Sequence, residues 1–134
     1  MKTFILSTES TSDLPQSYLA ANGVVCYEMA GTVGDTEFGG PNGNAIDIKD
    51  FFDRMRNGEM TMTTQVNLVE AENFLEGFLK QGKDVLHLAF SSGLSGTYNN
   101  FVAAAEKLNA KYKNKVMVVD SRAASLGQGL FVHF

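Results

Sequence analysis

Cysteine is almost missing from this chain. Cys26 is the single one, so no disulfide can close within the chain, and its place in the apolar run Val24-Val25-Cys26-Tyr27 marks it as a small buried hydrophobe. A reducing cytoplasm is the expected compartment. Nowhere do about 18 apolar residues follow one another. The opening Met1-Lys2-Thr3-Phe4-Ile5-Leu6 turns polar at Ser7-Thr8-Glu9-Ser10, so neither a membrane span nor a secretory leader is predicted. Basic charge is short as well: 11 Lys and Arg face 15 Asp and Glu, a net charge of -4. Lys80, Lys83, Lys107, Lys111, Lys113 and Lys115 fall near predicted helix ends, where they suit the helix dipole. Nucleic acid, which needs clustered basic residues, is not an expected partner. Metal ligation lacks support too, because His87 and His133 have no second ligand at a usual spacing. His87, inside Leu86-His87-Leu88, reads as a structural histidine. No Walker-type Gly-Lys-Ser/Thr occurs, and Gly127-Gln128-Gly129-Leu130-Phe131-Val132 is half of a dinucleotide fingerprint.

What is present is a globular composition: 134 residues, 44% hydrophobic and 19% charged, enough to bury one core without a disulfide or a structural metal. Thr3 to Ser7 reads as a buried strand. A polar loop follows, and then a helix that starts after Ser12-Asp13 and ends at Asn22-Gly23. Val24 to Ala30 is a second strand, Gly34-Asp35 turns into Thr36-Glu37-Phe38 as a small hairpin, and residues 39–44 form a loop. Asp47 with Asp50 starts a helix over Phe51, Phe52 and Met55 that Asn57-Gly58 closes. A further helix starts near Asn67 with Glu70 and places Ala71, Phe74, Leu75, Phe78 and Leu79 on one face, opposite the solvated Glu72 and Glu76. Val85 to Phe90 is a strand, Thr97 to Tyr112 a helix with Phe101, Ala104, Ala105 and Leu108 inward, Val116 to Val119 a strand, and Ala123 to Phe134 a last helix. This alternation predicts an α/β fold, a mainly parallel sheet flanked by helices on both faces.

In such sheets ligands bind beyond the carboxyl ends of the strands. Hydroxyl-rich loops follow there: Ser7 to Asp13, Ser91 to Tyr98, and Asp120-Ser121. A Ser/Thr/Gly loop opening a helix offers backbone N–H and O–H donors at the positive end of the helix dipole, which suits a carboxylate or phosphate. Gly93 and Gly96 would let a ligand approach the backbone. One such loop by itself would read as capping by Ser92, Ser95 and Thr97; three converging on one sheet edge favour a ligand site. A competing enzyme reading rests on Gly93-Leu94-Ser95-Gly96-Thr97, a near match to a nucleophile elbow, with Asp120 and His133 following in hydrolase order. Thr97 stands where that motif has its second glycine.

These motifs resemble those of the DegV family over almost the entire chain. The opening strand with Ser10-Thr11-Ser12-Asp13-Leu14-Pro15 is similar to the first signature. The helix Phe51-Phe52-Asp53-Arg54-Met55-Arg56-Asn57-Gly58 precedes the second, here Thr63-Thr64-Gln65-Val66-Asn67. Ser91-Ser92-Gly93-Leu94-Ser95-Gly96-Thr97-Tyr98 is the third and most specific, and Val119-Asp120-Ser121 with Ser125-Leu126-Gly127-Gln128-Gly129 is the fourth. The resemblance implies a lipid-binding acyl carrier rather than an enzyme: a protein that binds a long-chain fatty acid and presents it to a separate fatty-acid kinase for phospholipid synthesis, with no cofactor beyond the bound fatty acid. It carries the carboxylate contacts onto Thr63 and onto a serine of the third motif, Ser95 ahead of Ser92, with Thr64 and Gly96 beside them and Ser10, Thr11, Ser12, Asp13 and Ser121 as secondary loop candidates. Val66 and Asn67 stand where the family usually has Pro and Ser. Family members also continue into a second domain that closes over the acyl chain and adds a basic residue and a histidine near the head group. The chain is therefore expected to be one N-terminal α/β domain, residues 1–134, of a longer two-domain protein, with the second domain absent.

Overall fold

The computed structural model describes residues 4–40 and 43–134. In chain order the elements are β1 (Phe4–Glu9), α1 (Gln16–Asn22), β2 (Val24–Tyr27), β3 (Gly31–Val33), β4 (Thr36–Phe38), α2 (Ile48–Arg56) and β5 (Thr61–Thr63). They continue with α3 (Leu68–Leu79), β6 (Asp84–Ala89), α4 (Thr97–Lys111), β7 (Val116–Asp120) and α5 (Ser125–His133). The described residues form two compact units, one made of the chain up to Tyr27 with Val66–Phe134, the other of Glu28–Gln65.

The first unit is the predicted α/β layer structure. Its sheet runs β2-β1-β6-β7, every pair parallel, with Ser7 opposite His87 and Ala89 opposite Asp120. Side chains alternate across a strand, and β6 shows both faces at work. Leu86 and Leu88 pack with Leu19 of α1 and Val132 of α5. His87 points the other way, its ring 4.0 Å from that of Phe101 on α4 and 6.1 Å from Phe74 on α3. Phe74 also meets Tyr27 edge-on at 5.3 Å, a geometry that adds to plain burial. Helices cover both faces, which is why the strands read as near-continuous apolar runs.

Local chemistry accounts for the ends of these helices. Gly23 closes α1 in a left-handed conformation, φ 62°, as the Asn22-Gly23 pair predicted. The start differs from the expectation: Pro15, not Ser12 or Asp13, occupies the N-cap, because Ser10–Ser12 form a short 3-10 turn of their own that Asp13 ends at φ 53°. Asn67 and Glu70 make a complete capping box on α3, so Asn67 performs the cap that a serine would supply.

The second unit is a three-stranded antiparallel sheet, β4-β3-β5, with α2. The β3–β4 hairpin turns at Gly34-Asp35 as predicted. Strand β5, with Thr63 opposite Gly31, was not foreseen, since three residues are too few to show a period. Arg54 ties the unit together: it reaches Val33 O and Thr36 Oγ1 at 3.0 Å and pairs with Glu59 at 2.6 Å. Gly34, at φ 54°, leaves room that a Cβ would take from the Glu59 carboxylate. Thr3 of the first expected strand and Pro41 and Asn42 of the expected 39–44 loop lie outside the described residues. No described helix is long and apolar enough to cross a membrane.

On the outer side of α3, Glu76 accepts hydrogen bonds from Lys111 (2.6 Å), Lys80 (2.8 Å) and the Tyr112 hydroxyl (2.8 Å). These donors, Lys111 foremost, hold its carboxyl down at about 2 against an ordinary 4.5. A carboxyl depressed in the folded state stabilises fully above its unfolded pKa, and that stabilisation is lost as pH falls from about 4.5 through about 2. Acid unfolding of Glu76→Gln, followed by circular dichroism, is therefore expected to show a shallower loss of stability over that window than the parent chain. An unchanged slope would show that the cluster does not contribute.

Candidate ligand-binding site

The carboxyl ends of β1, β6 and β7 are joined by polar groups. Strand β1 runs two residues further than expected, so Ser7, Thr8 and Glu9 belong to the sheet and are fully buried. The Glu9 carboxylate accepts from Phe90 N at 2.7 Å and Gln128 Nε2 at 3.1 Å, and lies 3.1 Å from His87 Nε2. His87 Nδ1 is 2.9 Å from Ser7 Oγ. With Nε2 donating to Glu9 and Nδ1 accepting from Ser7, each group in the row is satisfied. Gln128 also donates to Thr8 Oγ1 and accepts from Thr11 Oγ1. The glycine-rich fourth motif is explained here. Gln128 plugs the network, and Gly129 lets α5 approach the 3-10 turn, since a Cβ there would come within 2.9 Å of Ser12 O.

The loop after β6 sits on this base. Ser91 N donates to Ala123 O, Ser91 Oγ accepts from Gly93 N, and Ser91 O accepts from Leu94 N and Ser95 N. Ser92 is latched to β7: its N–H and hydroxyl both donate to Asp120, at 3.2 and 2.5 Å. Ser95 Oγ accepts from Thr97 N and donates to Thr97 Oγ1, both at 3.1 Å. The fully buried Thr97 in turn accepts from Val66 N at 3.3 Å, while Asn100 holds Val66 O at 2.8 Å. Val66, the departure from the family motif, thus uses an N–H that proline would lack.

Helix α4 opens at Gly96 with no side-chain cap among the described residues. Of the four N–H groups a helix start leaves without intrahelical acceptors, Thr97 N is used by Ser95, and those of Gly96, Tyr98 and Asn99 belong to the positive end of the dipole. Neither Gly93 nor Gly96 has a positive φ, so backbone strain does not demand glycine at either place. A Cβ at Gly93 would meet only Ser91 Oγ, at 3.5 Å.

The remaining candidates divide clearly. Thr63 and Thr64 lie in the second unit, both exposed. The Thr64 hydroxyl is used on Ala30 O at 3.2 Å, whereas that of Thr63 has no partner among the described residues. Ser10 and Thr11 are half-buried and Asp13 is exposed, but Ser12 is fully buried and its Oγ has no partner among the described residues. Ser12 therefore does not face a ligand from solvent. The Ser121 hydroxyl closes a local turn with Ala123.

The hydrolase alternative is corrected by the structure. Asp120 is paired with Ser92 rather than with a histidine. His133 lies at the far end of α5, hydrogen-bonded to the Tyr18 hydroxyl at 2.5 Å and grouped with Leu6 and Val24 at the amino-terminal side of the sheet. A helix of nine residues running back along the sheet carries it roughly 13 Å from the loop edge. Ser95, Asp120 and His133 do not meet.

The DegV family model, described as an uncharacterised protein family, matches residues 3–133. A DegV domain-containing protein of Clostridium perfringens, CPE0026, is 38% identical over 135 residues, covering 100% of this chain and 46% of that protein. YteA of Lactococcus lactis, also a DegV domain-containing protein, is 31% identical over 97% of this chain and 45% of its own length. A fatty-acid-binding DegV family protein from Thermus thermophilus superposes with a TM-score of 0.80 at 29% identity, over 98% of this chain and 45% of that one. TM841 of Thermotoga maritima, whose structure revealed a fatty-acid-binding function, superposes at 0.76 and 26% identity over 97% and 46%. The chain spans less than half the length of the relatives it matches.

Glu9→Ala leaves Phe90 N, Gln128 Nε2 and His87 without their acceptor, and the expected cost in denaturant unfolding is about 3–5 kcal/mol. Glu9→Gln keeps an oxygen for Phe90 N and should cost less. Equal losses for the two would mean that filling the volume, not accepting hydrogen bonds, is what this position contributes.

Proposed function

This chain belongs to the DegV family, and from that membership we propose that it binds a long-chain fatty acid, held by its carboxylate, and presents it to a fatty-acid kinase without catalysing a reaction itself. The observation that carries the reading is the start of α4, where the N-cap residue Gly96 supplies no side-chain cap of its own. The helix start offers N–H groups and about half a positive charge to an anion.

The hydroxyls sort in the same sense. Ser95 already accepts from Thr97 N, so its proton is free to rotate from Thr97 Oγ1 to a ligand oxygen. Thr63 is proposed as a second donor on the family resemblance of the Thr63-Thr64 motif, and the Thr64 hydroxyl is spent on Ala30 O. Gly96 contributes its N–H. Ser10, Thr11 and Asp13 line the neighbouring loop as secondary contacts. Both histidines are engaged elsewhere, His87 in the core and His133 with Tyr18, and a carrier whose cargo reacts on another protein needs neither of them beside Ser95. About 15 buried methylenes at about 0.8 kcal/mol each give on the order of 10 kcal/mol, and each hydrogen bond to the carboxylate adds about 1.5–3 kcal/mol. The tail sets affinity and the head sets orientation. Presentation of the bound fatty acid to a kinase for phospholipid synthesis, in the cytoplasm, is the proposed setting.

Extraction of the purified chain into organic solvent and mass spectrometry should release a fatty acid. Thr63→Ala with Ser95→Ala should weaken fatty-acid binding by roughly tenfold or more and leave the melting temperature close to the parent's. Unchanged affinity in the double variant would remove both residues from the site.

A further inference from the structure

Asp120 ends β7 and makes three hydrogen bonds. Its carboxylate accepts from Ser92 N (3.2 Å), Ser92 Oγ (2.5 Å) and Arg122 N (2.9 Å). The bond to Arg122 N is a local turn of the sort any Asp can make. The two bonds to Ser92 cross 28 residues of sequence and join the head-group loop to the edge strand. Arg122 is held at φ 53° and Ser125, three residues on, at φ 51°, left-handed conformations that a side chain of this size keeps only where its surroundings impose them. The Ser92 hydroxyl, foremost, holds the Asp120 carboxyl below the usual carboxylate range.

A hydroxyl has one proton to give. The Ser92 proton is given to Asp120, and a second carboxylate brought to the same oxygen would meet the charge of Asp120. Ser92, in the third motif, is thus part of the frame and not a contact, which leaves selection of the head group to Ser95 and the start of α4.

We propose that Asp120 is a positioning residue of the carboxylate site: by gripping Ser92 and Arg122 it fixes the loop that carries Ser95 against the turn after β7, and Ser92 gives no hydrogen bond to the ligand. This rests on the fatty-acid reading above.

The test is a double-mutant cycle on the whole chain, with hexadecanoate and hexadecan-1-ol as probes, each competed against a fluorescent fatty acid. Asp120→Ala is expected to weaken hexadecanoate about tenfold and hexadecan-1-ol less than about twofold. Ser92→Ala should weaken hexadecanoate by a similar factor, and the double variant no further, because both single changes release one latch. Asp120→Asn, which keeps an oxygen for Arg122 N and Ser92 N, should recover part of the loss. Additive losses would place Ser92 on the ligand and overturn the proposal, as would equal weakening of both probes or an Asp120→Ala that binds hexadecanoate like the parent. If Asp120→Ala does not fold, Ser92→Ala decides alone: weakening confined to the carboxylate, together with a Ser95→Ala effect that shrinks in the Ser92→Ala background, supports the latch, and an undiminished Ser95→Ala effect or parent-like binding overturns it. A parent chain that binds neither probe would defeat the fatty-acid reading itself, and the proposal with it.

Discussion

The buried Glu9 carboxylate is the interaction on which the ligand edge depends. A carboxylate in a sheet interior is costly to desolvate, and here it is offset by donors from His87, Phe90 N and Gln128. Those donors belong to β6, to the residue that follows it, and to α5. One side chain on β1 therefore sets where the third motif leaves the sheet and how α5 lies against it. A leucine in its place would pack, but it would have nothing to hold Phe90 N in register. The network is the physical reason that a polar loop can stand at a defined position above an apolar core.

Above that base, the edge is organised by how each hydroxyl is spent. Thr97 is fully buried and fixes Val66, Ser92 is given to Asp120 and Ser121 to Ala123. Ser95, which already accepts from Thr97 N, keeps a proton that can rotate. A row of serines and threonines in sequence looks uniform, yet only a few of them retain a proton to offer.

Much of the fold was legible in the residues. Apolar runs at strand length, helical spacing of Ala71, Leu75 and Leu79, and the Asn67–Glu70 cap each express a short-range rule, and each is present in the structure. What was not legible depended on partners far apart in sequence. Glu9 looked like part of a solvated loop because nothing local shows that His87 and Phe90 lie 78 and 81 residues away to receive it. Asp120 looked like a catalytic acid for the same reason, and its true partner is Ser92. Strand β5 was missed because its three residues pair across a hairpin rather than show a pattern of their own. The Ser91–Tyr98 loop stood out in sequence because glycine, hydroxyls and a helix start are all local signals; that the Ser92 hydroxyl is given to Asp120 is a long-range pairing that no local signal carries.

The central claim is that a fatty-acid carboxylate sits at the start of α4 against Ser95. Carbon-13 NMR of carboxyl-labelled hexadecanoate mixed with the chain reads that contact directly. A carboxyl resonance distinct from free and micellar lipid, and shifted in Ser95→Ala, is the predicted result. A spectrum with only the free and micellar signals, or a bound resonance identical in the two proteins, would contradict it.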